Sequence, residues 1–309
     1  MKFKNLVINL INTCNYKCLF CRTAMPFNPQ YIIRLDQFKD FESYVQMTEA
    51  MCIGGYGEIT LHPDFERLIN ILTKNKVKIE MLTNGSMLTD DKIKILENSS
   101  LDILNISVNS LDRDNYKKLM GIDNLEKVLN NIDKVCKSEL KNIQYLQCSF
   151  VINNINFHEI KNFIDFGLKY DINIRLTDLS ANIKNYDPSL LLADIDENRK
   201  YLEECKEYAK QKNAKFYTFE FQIRGIENNG ANDNKEELNK IIKSCDLINN
   251  TLTIDFLGNI FPCCWSHTLF GNIRTNSLDE IMNSELYIDF VKHIQLGSKK
   301  YCRNCRRCG

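Results

Sequence analysis

Three cysteines, Cys14, Cys18 and Cys21, fall within the eight residues "CNYKCLFC", directly after the apolar run "LVINLI". Six of the thirteen cysteines form a second group, Cys245, Cys263, Cys264, Cys302, Cys305 and Cys308. Structural disulfides are rare in a reducing cytosol, so clustered thiols point to metal or redox chemistry. Thiolates are soft ligands suited to iron-sulfur clusters or zinc. Clusters in electron carriers usually have four cysteine ligands, so three thiols in isolation leave one iron uncapped. An open position is where a substrate or cofactor binds, which separates catalytic metal sites from closed structural ones. A zinc ion completed by a remote fourth side chain is the other reading of these three residues. In the second group Cys245, Cys263, Cys302 and Cys305 supply four thiolates, enough to close a cluster or a zinc ribbon completely. Cys308 is an alternative to Cys305 as the last ligand, and Cys264 or Cys308 is a candidate thiol donor of hydrogen. The four single cysteines, Cys52, Cys136, Cys148 and Cys205, read as small buried apolar residues.

A scaffold must position these thiols. After the first apolar run, short β-like stretches alternate with longer helical ones, the pattern of successive βα units and a parallel sheet. Strands are expected at 5–11, 50–55, 77–83, 101–109, 145–152 and 172–179. Apolar residues recur at three and four positions in "LDQFKDFESYVQM", "PDFERLINILTKN" and "FHEIKNFIDFGLKY", with Phe65, Leu68, Ile69 and Leu72 on one face. Residues 188–213 read as one long helix, followed by β-like residues 215–223 and a polar, Asn-rich linker, "RGIENNGANDNKEE". Beyond it lie a hairpin signal, "TLTIDFLGNIFPCC", and a single helix in "NSLDEIMNSELYIDFVKHI". Two domains are expected, 1–225 and 226–309. In an alternating βα barrel the working residues sit in loops at the carboxyl ends of strands, which is where Cys14, Cys18 and Cys21 fall.

Lys and Arg total 40 and Asp and Glu total 40, so no basic stripe marks a nucleic-acid partner. No run approaches the ~18 apolar residues of a membrane span, and the charged start lacks a small-residue cleavage site. A cytoplasmic protein without a membrane partner is expected.

The spacing C-x3-C-x2-C, with Phe20 before the last cysteine, resembles the signature of the radical S-adenosylmethionine (SAM) superfamily. The resemblance implies a partial (β/α)6 TIM barrel whose [4Fe-4S] cluster, held by Cys14, Cys18 and Cys21, binds S-adenosyl-L-methionine at its open iron. One electron then cleaves SAM to methionine and a 5'-deoxyadenosyl radical, which abstracts a hydrogen atom. An electron donor such as flavodoxin or ferredoxin is implied. "GGYGEITLHPDF" is similar to the family's glycine-glycine-glutamate-proline segment, aligned on Gly57 and Glu58, which binds the methionine amino group; Ile59 stands where proline is usual. "TNG" at 83–85 places Asn84 near the site, and Ser107 and Asn109 end strand four where ribose or carboxylate contacts are common. Local capping is the equal alternative for these polar strand ends. Phe20 is expected against adenine, and Asn156 matches a strand-five position of many members.

The run from Gly258 to Cys263 and the closing "CRNCRRC" resemble the SPASM domain and its shorter twitch form. They imply a small C-terminal iron-sulfur (SPASM/twitch-like) domain with one auxiliary [4Fe-4S] cluster on Cys245, Cys263, Cys302 and Cys305, shielded by Trp265. Arg175, in the alternating strand "INIRLTDL", is a candidate catalytic residue, as a carboxylate clamp or base inside the barrel. A solvated, edge-facing arginine is its other reading, and Asp178 and Glu220 share that ambiguity. His62 reads as a structural loop residue.

Two clusters imply a net oxidation, the second accepting the electron left after hydrogen abstraction. The chain starts almost on strand one, which leaves no room for a precursor-binding domain, so the expected substrate is a small polar molecule of the sugar or aminocyclitol type. A peptide maturase making epimers, cross-links or thioethers is the alternative. A non-catalytic zinc-binding protein is a third possibility.

Overall fold

The structure, a computed structural model, describes residues 3–21, 30–140, 143–179, 188–193, 195–218, 250–264, 266–296 and 300–301. Strands β1 (Phe3–Ile8), β2 (Thr48–Ile53), β3 (Lys78–Thr83), β4 (Leu101–Ser107), β5 (Tyr145–Ile152) and β6 (Asn173–Asp178) form where the alternation requires them. Between them run α1 (Phe41–Gln46), α2 (Phe65–Lys74), α3 (Asp90–Glu97), α4 (Arg113–Met120), α5 (Leu125–Lys137) and α6 (Ile160–Tyr170). Phe65, Leu68, Ile69 and Leu72 are the buried face of α2, as their spacing demands. Past β6 come α7 (Asp196–Gln211), β7 (Phe216–Thr218), β8 (Thr251–Ile254), β9 (Asn259–Phe261), β10 (Gly271–Asn272), α8 (Leu278–Met282) and α9 (Glu285–Gln295).

Two helix expectations are corrected. Residues 188–213 are not one helix: a single 3-10 turn, Pro188–Leu190, precedes α7, and Ile195 between them is extended (φ −119°, ψ 154°). The Leu190 carbonyl accepts from the Asn154 backbone, which takes it out of helical bonding. The helix expected over 276–294 is two, because Ser284 restarts the chain as an N-cap, its hydroxyl accepting from the Tyr287 amide. Ser277 caps α8 with Glu280 in a reciprocal capping box.

The chain falls into two compact units, one of Met1–Thr13, Gln30–Glu80 and Gly230–Gly309, the other of Cys14–Pro29 and Met81–Asn229. In the first, β1 pairs in parallel with β2 and with β8, Asn5 facing Thr251 and Ile8 facing Ile254. The hairpin β8–β9 is present as expected, with β10 antiparallel on β9. That β8 joins β1 was not foreseen. In the second unit β4, β5, β6 and β7 pair in parallel. Side chains alternate between sheet faces. Cys148, Phe150, Ile152, Ile174 and Leu176 lie buried on one face, where Phe150 stacks on Phe163 of α6 with ring centroids 3.9 Å apart. The opposite face is polar: Asn105, Gln147 and Asn173 are in register, and so are Ser107, Ser149, Arg175 and Tyr217.

Candidate functional site

The cysteine loop lies in the second unit. Cys14 Sγ accepts from the Tyr16 amide at 3.4 Å and lies 3.8 Å from Asn84 Nδ2. The Asn84 amide also donates to Asn15 Oδ1 (2.9 Å), while its own Oδ1 accepts from the Ser86 amide and hydroxyl (3.0 and 2.7 Å). Asn84, expected beside the cofactor, is thus bonded to the loop itself. The Cys21 amide closes a turn onto the Cys18 carbonyl at 3.1 Å. Cys18 Sγ lies 3.7 Å from Met120 Sδ. Burial pushes the Cys18 thiol well above its ordinary value, and Cys21 and then Cys14 push it further the same way. A thiol desolvated beside two other sulfurs is one that a bound cation would help to ionise. Phe20, in the same loop, is buried.

In the first unit, the Glu58 amide donates to the carbonyl of Thr13, the residue before Cys14, at 2.9 Å. Gly57 makes this approach possible. Its φ is +64°, and a Cβ there would stand 2.6 Å from the carbonyl oxygens of Ile11 and Thr13. Glu58 is buried, and its Oε1 accepts from the Thr60 amide (3.0 Å) and hydroxyl (2.6 Å), capping a 3-10 turn, Ile59–Leu61. His62 follows that turn, and its ring spans Ile33 and Asp64: Nε2 is 3.0 Å from the Ile33 carbonyl and Nδ1 accepts from the Asp64 amide at 3.0 Å. Asp64 also pairs with Arg34 at 2.7 Å. These bonds pin the segment that returns from the cysteine loop, in keeping with His62 as a structural residue.

Of the remaining expected residues, Ser107 Oγ meets Ser149 Oγ at 3.3 Å, and Arg175 stands next to Ser149 in register. Asn109 is buried with φ +63°; its Oδ1 accepts from the Val151 amide (2.8 Å) and its Nδ2 lies 3.3 Å from Met120 Sδ. Asn156 donates to the carbonyls of Asn109 (2.9 Å) and Val151 (2.8 Å) and accepts from the Asn153 amide (2.8 Å). Both asparagines are spent on locking the ends of β4 and β5 together. Cys263 is buried beyond β9 and Cys264 is exposed. Cys245, Cys302, Cys305, Cys308, Trp265 and Glu220 lie outside the described residues.

The family model of the radical SAM superfamily matches residues 8–167, more than half of the chain. The chain belongs to the radical SAM superfamily. An iron-sulfur cluster-binding domain, SPASM, matches residues 245–309. Among curated relatives, a GTP 3',8-cyclase of Campylobacter jejuni subsp. doylei is 29% identical over 191 residues, 60% of this chain and 58% of that protein. The chain thus spans less than two thirds of the length of the curated relatives it matches. Among solved structures, Streptococcus suis SuiB bound to S-adenosylmethionine superposes with a TM-score of 0.71 at 18% identity, over 93% of this chain and 67% of that one. BtrN in complex with AdoMet and 2-DOIA superposes with a TM-score of 0.53 at 15% identity, over 99% of this chain and 94% of that one. These likenesses are of fold, and the expected α/β class with parallel βα units holds.

The radical SAM and SPASM matches imply [4Fe-4S] clusters, and the cysteine loop fits one. Cys21 and Cys14 raise the proton affinity of the Cys18 thiol, and Cys14 already receives N–H donors of the kind that hold cluster sulfurs. Among the described residues no three His, Cys, Asp or Glu side chains gather as ligands of a single ion. A cluster takes one thiolate per iron, so its ligands need not meet at one point. Sequence reasoning missed Asn15 and Tyr16 in this loop, and Tyr116 and Met120 of α4 against it. Only Asn15 and Tyr16 carried a signal, as neighbours of Cys14.

Proposed function

We propose that this chain is a two-cluster radical SAM oxidoreductase acting on a small polar substrate of the sugar or aminocyclitol type. The observation that carries the oxidative reading is the pairing in one chain of a radical SAM match over 8–167 with an iron-sulfur cluster-binding match over 245–309. Cys14, Cys18 and Cys21 hold the first cluster, and Cys245, Cys263, Cys302 and Cys305 hold the second. The first cluster would supply, with SAM and one electron from a flavodoxin or ferredoxin, the reductive cleavage of SAM to methionine and a 5'-deoxyadenosyl radical able to take a hydrogen atom from the substrate. The second cluster would supply an acceptor for the electron left on the substrate once a proton is lost, so that the net change would be a two-electron oxidation.

The chain's own residues prepare this. The Tyr16 amide and the Asn84 side chain face the Cys14 sulfur and stabilise thiolate charge there. Glu58 brings a buried carboxylate suited to a protonated amine, and Phe20 a buried ring suited to a purine. Ser107, Ser149 and Arg175 set two hydroxyls and a guanidinium in one row, a surface for a substrate rich in hydrogen-bonding groups. The likeness to BtrN, solved with AdoMet and 2-DOIA, supports the small-molecule reading. A peptide substrate is the second reading, favoured by the higher TM-score to SuiB, 0.71, and by SuiB's structure with its precursor peptide SuiA.

The test is anaerobic incubation with SAM and deuterated candidates: aminocyclitols, sugars, GTP and peptides. Deuterium should appear in 5'-deoxyadenosine from a carbohydrate. Transfer from peptides alone would reject the first reading for the second. A variant with Cys14, Cys18 and Cys21 all changed to alanine should make no deoxyadenosine; continued production would overturn the assignment of the first cluster.

A further inference from the structure

The middle of the cysteine loop rests on one short helix. The Lys17 amide donates to the Met120 carbonyl (3.3 Å) and the Leu19 amide to the Leu119 carbonyl (2.9 Å). Tyr16 and Tyr116 share a buried hydroxyl–hydroxyl hydrogen bond of 2.9 Å. Gly121, the left-handed cap of α4, lies so close that a Cβ there would stand 2.7 Å from the Lys17 carbonyl oxygen. Residues 16 to 19 therefore take their position from the C-terminal turn of α4. A helix of eight residues, about 12 Å long, has little hold of its own and sits where its ends are fixed.

Its other end is fixed by a carboxylate that no expectation singled out. Glu159, before α6, is only 7% exposed. It accepts from the Ser110 hydroxyl (2.8 Å to each oxygen), the Leu111 amide (2.7 Å), the Asp112 amide (3.2 Å) and the Asn115 side chain (2.9 Å). Those donors are the loop leading into α4 and its first turn, where a negative charge also meets the favourable end of the helix dipole. A buried carboxylate with so many donors is costly to misplace, so the group holds the start of α4 to one position.

We propose that Glu159 is a positioning residue for the cysteine loop: by clamping the start of α4 it sets where the Leu119 and Met120 carbonyls stand, and through them where Cys18 stands. It acts through the helix and touches none of the cysteines. The inference rests on the reading that this loop carries the SAM-binding cluster.

The test uses Glu159→Gln in the anaerobically purified protein with both clusters. The amide keeps the size of the side chain but turns an N–H donor on donors that need an acceptor. The readouts are the EPR spectrum of the reduced first cluster with and without SAM, the rate of deoxyadenosine formation, and the second cluster's spectrum as an internal reference. We expect the SAM-induced spectral change to be altered and deoxyadenosine formation to fall by about tenfold or more, with iron content and the second cluster's spectrum unchanged. Glu159→Asp, which keeps the charge, should restore part of both. Ser110→Ala, which deletes one donor without touching the carboxylate, should shift the spectrum in the same direction by less. A wild-type spectrum and rate in Glu159→Gln would overturn the proposal, and so would loss of both clusters together in Glu159→Gln and Ser110→Ala, since that is a general structural role. If the wild-type protein has no SAM-sensitive cluster, the reading of the loop itself fails, an outcome visible before any variant is made.

Discussion

His62 is held neutral by its surroundings. Burial outweighs the Ile33 hydrogen bond and the nearby Asp64, which act the other way, and the net effect lowers its pKa; Arg34 adds to the lowering. Unfolded, the ring would titrate near the ordinary value of about 6.5. Its folded pKa is depressed, so the stability it contributes is complete above about pH 6.5 and is lost as the pH falls toward the folded value, at no more than about 1.4 kcal/mol per pH unit. Thermal melts of the wild type and His62→Gln at about pH 7.5 and about pH 5.5 should therefore show the wild type losing more of its Tm on acidification than the variant. Equal losses would mean that His62 is not the titrating group. At this scale the cysteine spacing and the glycine–glutamate turn were legible, because their neighbours in sequence are their neighbours in space. Met120, Tyr116 and Glu159 were not: each is an ordinary helix or turn residue until folding sets Met120 and Tyr116 against the cysteine loop and Glu159 against the start of α4.

The turn after β2 is an element whose geometry admits one residue type. Gly57 combines a left-handed backbone with two carbonyls, of Ile11 and Thr13, closer than any Cβ tolerates. Gly57→Ala would cost about 1–2 kcal/mol in backbone strain alone. It must also displace the backbone leading into Cys14, and that cannot yield as a flexible side chain does. Iron retained at the first site after desalting, compared with the second, should fall selectively; full retention would show that the loop tolerates the shift. Elements with their own period were legible in the same way, such as α2 and the six strands of the βα units. The errors came where apolar residues continue past a break. Leu278 and Ile281 are the buried pair of α8 and Phe290 and Ile294 that of α9; the nine residues from Ile281 to Phe290 would put the two pairs on opposite sides of one continuous helix, and the Ser284 cap marks the restart. The pairing of β8 with β1 was hidden for another reason, since nothing in a strand of four residues names its partner.

On the scale of the whole chain, the described β8–β9 hairpin is held by bonds of its own. Strand β8 is held to β1 by its own ladder, and Asn9 adds two bonds to the Ile254 carbonyl, from its amide at 2.9 Å and its side chain at 3.1 Å. The β8–β9 turn is closed by Asp255, which accepts from the amides of Leu257 and Asn259, both at 2.9 Å. None of these bonds involves a cysteine. Cys263→Ala should therefore remove the second cluster while leaving the first loop, the β1–β8 pairing and deoxyadenosine formation in place. If the second cluster is the electron acceptor, the oxidised product should fall by about tenfold or more while deoxyadenosine continues to form, so that the two products, equal in the wild type, part company in the variant. Measuring both in one anaerobic reaction decides the matter: product kept at the wild-type ratio would mean that the substrate radical loses its electron by another route, and the second cluster would then serve only to hold the C-terminal segment together.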